Sequence, residues 1–540
     1  MRLKYISLLF LLFFFLIVSF YPTIYELSLS NKLYDPNREF ILEHNYYWPD
    51  FNLYLSKIRQ GTEGRLTALE RYTSEPHQGS LIQEFYVVLG LMGRPLNLDP
   101  NFSYQLGRLI LSPLLLLIVI LLVFHFFKKT LWRILAFVII FLSGSFPKIY
   151  TDSQGLHVGR FMEWWSNIDV VQRITFVPHI LFGQVTSFFI LYIFLKNNFR
   201  LDNKKLIYLI IIGNLTGLVF PPSLITLNSV VLLLLIIPII KKRNLDKYLL
   251  LNTYYLILTI PSLLYIFLIT KIFPWSALVD FHRTHPMMIP FGEYILGTGP
   301  IFFLGLIGIV VAVIKKETKF YSFIFWILTT FFFSLLFTHI QEQSPLRFTQ
   351  TGLYIPLGIL GTYFLYEINK LLNNKITYTF IFIYILISLF MMKVSLDWQT
   401  TFITQRAQAN IPPVPYPPQT MYPLKDWMDG IRWIKNNTGR EDVILAQITA
   451  GNFIPAYAGR TVYFGQANTV NYDTKQTLVD KFYHGNMSQE EAQAFLRNGR
   501  ITYIFYSIQE KDFTKGNDLN FYYPFLKKVY STDTVTIFQI

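Results

Sequence analysis

Long apolar runs separated by short polar stretches make up most of this chain. Eleven of the runs are long enough to cross a bilayer as helices, near 5–22, 107–127, 131–149, 176–195, 205–220, 222–240, 248–270, 295–314, 320–339, 349–368 and 376–394. The fifth and sixth meet at Phe220-Pro221-Pro222. Two successive prolines resist helix continuation and suit a tight re-entry turn. One long broken helix is the alternative there, and it would reverse the parity of everything that follows. The first run is long for a signal-peptide core and no A-x-A site follows it, which predicts an uncleaved first helix.

Two regions depart from this pattern. Segment 23–106 forms a large first loop. Within it Phe51, Tyr54, Leu55 and Ile58 fall at helix spacing ahead of Gly61, and Leu81, Ile82, Phe85, Val88 and Leu89 mark a second amphipathic helix. Both are expected to lie along the membrane surface with an apolar face buried. The second region begins after the proline-rich run Ile411-Pro412-Pro413-Val414-Pro415-Tyr416-Pro417-Pro418, a semi-rigid spacer by composition. Its periodicity predicts helix 424–437, strands 442–448 and 461–465, helices 473–483 and 489–498, and strands 501–507 and 534–540. Ser488 and Glu491 are spaced for a capping box. The expected organisation is a transmembrane domain over 1–398, a linker over 399–422 and a small soluble α/β domain over 423–540.

Charge orients these elements. With the N-terminus cytoplasmic, the inner segments carry eighteen Lys and Arg residues, in clusters such as Lys128-Lys129, Lys204-Lys205 and Lys241-Lys242-Arg243. The short outer segments carry six: Lys148, Arg160, Arg173, Lys271, Arg283 and Arg347. The positive-inside rule then gives an N-in, C-out polytopic α-helical membrane protein, with loop 23–106 and the C-terminal α/β domain both extracytoplasmic. Composition agrees. Of 540 residues 52% are hydrophobic and 15% charged, and the mean hydropathy is +0.37. Soluble chains carry about 25% charged residues. The net charge of +14 sits in clusters between apolar runs, which are topology signals rather than a nucleic-acid stripe. The absence of cysteine removes disulfides, thiolate metal sites and cysteine nucleophiles. The C-terminal region has neither a G-x-G-x-x-G fingerprint nor a P-loop.

Candidate chemistry collects in the outer loops. Asp50, in Tyr46-Tyr47-Trp48-Pro49-Asp50-Phe51-Asn52-Leu53-Tyr54, stands at a proline-fixed helix start. A plain N-cap is the simplest reading, and a base or metal ligand held at the membrane surface is the functional one. Glu75 and His77 offer a carboxylate and an imidazole, or two solvated loop residues. Asp152, His157 and Glu163 fall within twelve residues of one outer loop, where solvated loop residues are the plainer reading. His179 begins the fourth run from outside, as a pyrophosphate ligand or an interfacial histidine. Asp280, His282, Arg283 and His285 form a polar cluster suited to an anionic head group or to interfacial anchoring. Arg347, in Ser344-Pro345-Leu346-Arg347-Phe348, stands beside the outer surface, where a guanidinium grips phosphate in bidentate fashion.

With an acidic residue after the first helix, a following helix Asp50-Phe-x-x-Tyr54-x-x-x-Ile58-x-Gln60-Gly61, the late Arg347 and a C-terminal soluble domain, the chain resembles the class C membrane glycosyltransferases. Those enzymes use polyprenyl- or dolichyl-phosphate-linked sugars. The first loop departs from the family in lacking Asp-x-Asp or a paired Asp-Glu. The resemblance implies an inverting transfer on the extracytoplasmic face, from a lipid-linked donor to a glycan, lipid or protein acceptor. Asp50 would be the catalytic base. Arg347, with His179, His282 and Arg283, would bind the donor phosphate. A divalent metal, Mg or Mn, is the one cofactor it allows, with Asp50, Asp152, His157 and Glu163 as candidate ligands. Two other classes compete. A lipid-linked-glycan transporter or flippase normally carries ionisable groups inside its spans, where this chain has almost none and Asn214 is the main polar exception. A non-catalytic scaffold leaves the acidic, histidine and arginine residues of the outer loops unexplained.

Overall fold

The computed structural model describes residues 2–44, 50–153, 155–240, 247–285, 287–340, 343–372, 374–408 and 422–540. The proline-rich run 411–418 and Pro49 lie outside them. The chain divides into two compact units. One comprises Met1–Pro22, Gly107–Phe267 and His285–Gln399; the other comprises Thr23–Leu106, Leu268–Thr284 and Thr400–Ile540.

The first unit is built from the apolar helices. Among the described residues six helices are long and apolar enough to cross a membrane, or seven if one bent pair is a single span. The chain is a polytopic helical membrane protein. The other predicted runs are helical but shorter or more polar. Two of the runs are not the simple spans expected. Run 131–149 stays helical only over Thr130–Leu142, because Ser143 turns extended and Pro147 cannot continue a helix. Pro147–Asp152 instead pairs antiparallel with Gly155–Arg160. Run 295–314 breaks at Gly299 (φ +79°), where Phe291–Thr298 and Pro300–Ile314 meet at 90°. At Phe220 the chain leaves helical geometry between Asn203–Val219 and Pro221–Ile240. Helix Pro300–Ile314 packs closely on Tyr354–Leu371. A Cβ on Gly308 would stand 2.2 Å from the Leu360 carbonyl oxygen, so only glycine admits the approach.

The second unit joins the first loop to the C-terminal region through a shared hydrophobic core. Ile41, Leu53 and Tyr72 from the loop pack with Trp427, Ile431 and Phe453. The C-terminal region forms a five-stranded sheet in the order Thr461–Val462, Val443–Leu445, Ile501–Tyr506, Thr536–Gln539, Lys527–Ser531. The first three strands are parallel and the last two pair antiparallel. Lys527–Ser531 and helix Ile448–Tyr457 have no counterpart in the sequence reading. The Ser488–Glu491 capping box forms. The last membrane helix runs from Asn374 to Gln408, so the start of the expected linker is helical.

Helix Asp50–Thr62 is not the surface helix its periodicity suggests. Every residue from Phe51 to Gly61 is buried, polar ones included. Its apolar face meets the core, and much of its polar face is hydrogen-bonded within the fold. Asn52 Nδ2 donates to Asn452 Oδ1 at 2.6 Å, and Lys57 Nζ donates to the Leu69 carbonyl at 2.6 Å and to Glu70 at 3.1 Å. Nor is Gly61 a helix terminator. A Cβ on it would lie 2.0 Å from the Val87 carbonyl oxygen of helix Glu84–Gly93, and one on Gly90 would lie 1.9 Å from that of Ile58. The two loop helices cross there at backbone contact.

Candidate active site

Asp50 is the first helical residue of Asp50–Thr62 and is half-buried. The helix beneath it is fixed along its length. Asn52 bonds Asn452, and the Arg59 Nε donates to the Ala456 carbonyl. Both partners belong to helix Ile448–Tyr457. The fully buried Tyr72, in electrostatic reach of Asp50, donates its hydroxyl to the Asn452 carbonyl at 3.0 Å. A carboxylate at the end of a helix clamped in this way is well positioned, as proton acceptance from a bound group requires.

A buried ionic network that sequence reading missed lies in the same unit. Arg406 Nη2 is 2.8 Å from Glu43 and its Nη1 is 3.9 Å from Glu26, while Tyr422 donates to Glu26 at 2.9 Å. Burial pushes the Glu43 carboxyl above its ordinary range, against the pull of Arg406. Nothing local in the sequence sets Glu43 apart, because its partner Arg406 lies far along the chain.

Glu75 and His77 are both engaged within the fold. Lys475 Nζ lies 2.7 Å from Glu75. Burial raises that carboxyl, but hydrogen bonds from Lys475 and Thr73 outweigh it and hold the group below the ordinary carboxylate range. His77 Nδ1 donates to the Glu75 carbonyl at 2.8 Å, and its Nε2 accepts from the Glu70 amide at 2.9 Å. Both ring nitrogens are thereby used, and burial lowers the pKa of the ring. His282 and Arg283 also lie in this unit, on helix Ala277–Thr284, where the exposed Arg283 pairs with Asp280 at 3.2 Å.

The membrane-helix unit holds the other candidates. Arg347 sits on the short helix Leu346–Thr349 and is half-buried. A hydrogen-bonded frame fixes that helix. Asn167 Nδ2 donates to the Thr349 carbonyl at 2.9 Å, Trp165 Nε1 to the Thr349 hydroxyl at 3.0 Å, and Gln184 Nε2 to the Gln350 carbonyl at 2.7 Å. The guanidinium itself donates to Gln350 Oε1 at 3.4 Å. It has no carboxylate partner among the described residues. His179, the second residue of helix Pro178–Lys196, is in electrostatic reach of it. The structure therefore brings these two together.

Asp152 and His157 meet across the hairpin, with His157 Nε2 2.9 Å from Asp152 Oδ1, and both are solvent-accessible. The Glu163 carboxylate is occupied by the Arg160 amide at 3.1 Å. Among the described residues no three His, Asp or Glu side chains group as metal ligands. The set Asp50, Asp152, His157 and Glu163 thus does not group as one centre among the described residues, and one Glu163 oxygen accepts from backbone.

No protein-family model matches the sequence, and no curated protein does. Solved structures do match. The apo oligosaccharyltransferase of Archaeoglobus fulgidus is similar with a TM-score of 0.54 at 12% identity, over 97% of this chain and 74% of that one. The archaeal oligosaccharyltransferase AglB from the same organism, in complex with an inhibitory peptide and a dolichol-phosphate, is similar with a TM-score of 0.53 at 12% identity, over 94% and 72%. ArnT from Cupriavidus metallidurans bound to undecaprenyl phosphate gives a TM-score of 0.48 at 11% identity, over 97% of each chain. This chain has the fold of these archaeal oligosaccharyltransferases, that of the class C membrane glycosyltransferases.

Proposed function

We propose that the protein is an inverting glycosyltransferase that moves a sugar from a polyprenyl-phosphate-type lipid to an acceptor on the extracytoplasmic face. The observation that carries this reading is Arg347. It is a half-buried guanidinium on a rigidly framed helix, in electrostatic reach of His179 and, among the described residues, with a neutral amide as its one hydrogen-bond partner. A cation held in that way is suited to an anion supplied from outside the protein, and a lipid phosphate is the anion this fold commonly receives. Archaeal AglB, which shares the fold, has a solved structure in complex with a dolichol-phosphate.

In the proposed reaction an acceptor hydroxyl or amide attacks the anomeric carbon, and a new bond to that carbon forms as its bond to the phosphate oxygen breaks. The bonding pair leaves with the lipid phosphate, and Arg347 and His179 stabilise the charge that develops. Asp50 takes the acceptor's proton. A single displacement inverts the anomeric centre and needs no covalent enzyme intermediate. The eleven-span, N-in and C-out topology belongs to the same proposal, since it gives Asp50 and Arg347 a common compartment.

The test is a proteoliposome assay with a panel of polyprenyl-phosphate hexoses and pentoses and a cell-envelope glycan extract as acceptor. The reading predicts release of polyprenyl phosphate together with acceptor labelling for at least one donor. No release from any donor, by protein shown to be folded, contradicts it.

A further inference from the structure

The unit that contains Asp50 also contains a pocket of about 370 Å³, within the size range of small-molecule sites. None of the candidate residues considered above lines it. Arg59 reaches it from the far end of helix Asp50–Thr62 and is only 8% exposed. Its Nε donates to the Ala456 carbonyl, whereas neither terminal guanidinium nitrogen has a hydrogen bond or ion-pair partner among the described residues. Glu63 and Asp99 lie in electrostatic reach without pairing to it. A buried guanidinium left open on one side is costly unless something fills that side.

Lys435 lines the same pocket from helix Lys425–Asn437. Its pKa is lowered first by the neighbouring Arg59 and then by burial, so two like charges face one space. The third cation of the wall, Arg432, is already answered by Glu39 and by Asp429 at 2.6 Å. Asp99 is the one opposing carboxylate there that no cation pairs among the described residues. The remaining wall is mixed. Phe40 and Tyr457 offer ring faces, and the Asn101 and Asn436 amides offer hydrogen bonds. Asn101 is itself buried and oriented, donating to the Leu42 carbonyl at 2.9 Å. Cations, aromatic rings and amides lining one pocket match a molecule that has an anionic group, apolar ring faces and hydroxyls.

We propose that this pocket binds an anionic saccharide, a sugar bearing a carboxylate or phosphate, with Arg59 and Lys435 on the anionic group. Arg59 stands nine residues from Asp50 on one helix, about 13 Å along its axis. That distance makes the pocket a subsite for the acceptor glycan, an assignment that rests on the transferase reading. The binding itself does not.

The experiment is titration of the full-length protein in nanodiscs, followed calorimetrically, with glucuronate, glucose 6-phosphate, glucose, acetate and inorganic phosphate. At least one of the two anionic sugars should bind more tightly than glucose and than the free anions. Arg59→Gln should weaken that binding by at least about tenfold, the loss of a charge-assisted hydrogen bond. Lys435→Gln changes an exposed side chain, so it tests the site even if Arg59→Gln fails to fold, and it should weaken binding by about threefold or more. Equal affinity for free anions and anionic sugars overturns the saccharide assignment. No binding, or binding unchanged in Lys435→Gln and in folded Arg59→Gln, overturns the site. Sugar binding in a protein that transfers nothing in the proteoliposome assay would keep the site and remove only its acceptor role.

Discussion

In the unit of apolar helices, Arg173 is buried against the carbonyl oxygens of Ser143, Ile168 and Asp169, and Arg347 meets the amide of Gln350. In the other unit Lys57, Arg406, Arg432 and Lys475 each meet a carboxylate. Both arrangements satisfy donors, but they differ in what they leave over. A carboxylate partner cancels the charge, while a carbonyl or amide partner leaves it available to an anion that arrives later. Arg173 is sealed in and has no access to one, and Arg160, paired with Asp169, follows the other pattern within the same unit. Arg347 is half-buried and uncancelled. In the second unit Arg71 and Arg460 meet only carbonyl and hydroxyl oxygens among the described residues and are buried like Arg173, while Arg59 lines a pocket. We therefore propose anion recognition for Arg347 and for Arg59, which lines an open pocket.

Topology gives the largest test of this comparison, because it is all or none. A reporter active only in the cytoplasm, fused after Ile540, should give no signal. A strong signal would put the C-terminal region on the inner face and separate Asp50 from the outer compartment. Next comes the contrast between the arginines. Arg347→Lys keeps a charge but loses the fork, and should weaken binding of polyprenyl-phosphate vesicles about tenfold, whereas Arg283→Lys, already paired with Asp280, should change it little. Equal losses would erase the distinction between cancelled and uncancelled cations.

A smaller effect sharpens the account of the first loop. Burial pushes the Glu84 carboxyl up to about 7, against a weaker opposing hydrogen bond from the Ala68 backbone. The folded state then holds that proton more tightly than the unfolded chain. Stability from it is fully present below about pH 4.5 and is lost as pH rises through about 7. The apparent Tm should fall from pH 5 to pH 8, and Glu84→Gln should recover roughly 2–4 °C at pH 8. An identical pH profile in the variant would show that Glu84 is solvated.

Much of this architecture could be read in the chain, and the rest was hidden for identifiable reasons. Apolar runs announce membrane helices because lipid requires apolar surface everywhere, so their existence is a local property. Their ends are less local: Leu142 and Gly299 stop helices where hydropathy alone continues. The helix from Asp50 was legible, but its burial was not. Period alone cannot reveal that Asn452, Leu69 and Glu70 wait for its polar face. Lys475 against Glu75, about four hundred residues apart in sequence, is invisible for the same reason. His179 and Arg347 were each singled out on local grounds, yet only the folded chain brings them together.

The central claim is catalytic, and Asp50→Asn tests it most directly. Asparagine keeps the size and most of the capping ability of aspartate but removes charge and basicity. In proteoliposomes carrying a donor that the wild type uses, transfer should fall at least about a hundredfold. Donor-vesicle binding and thermal melting should stay near wild type. Transfer by Asp50→Asn at the wild-type rate would show that the carboxylate only caps its helix, and would contradict the account.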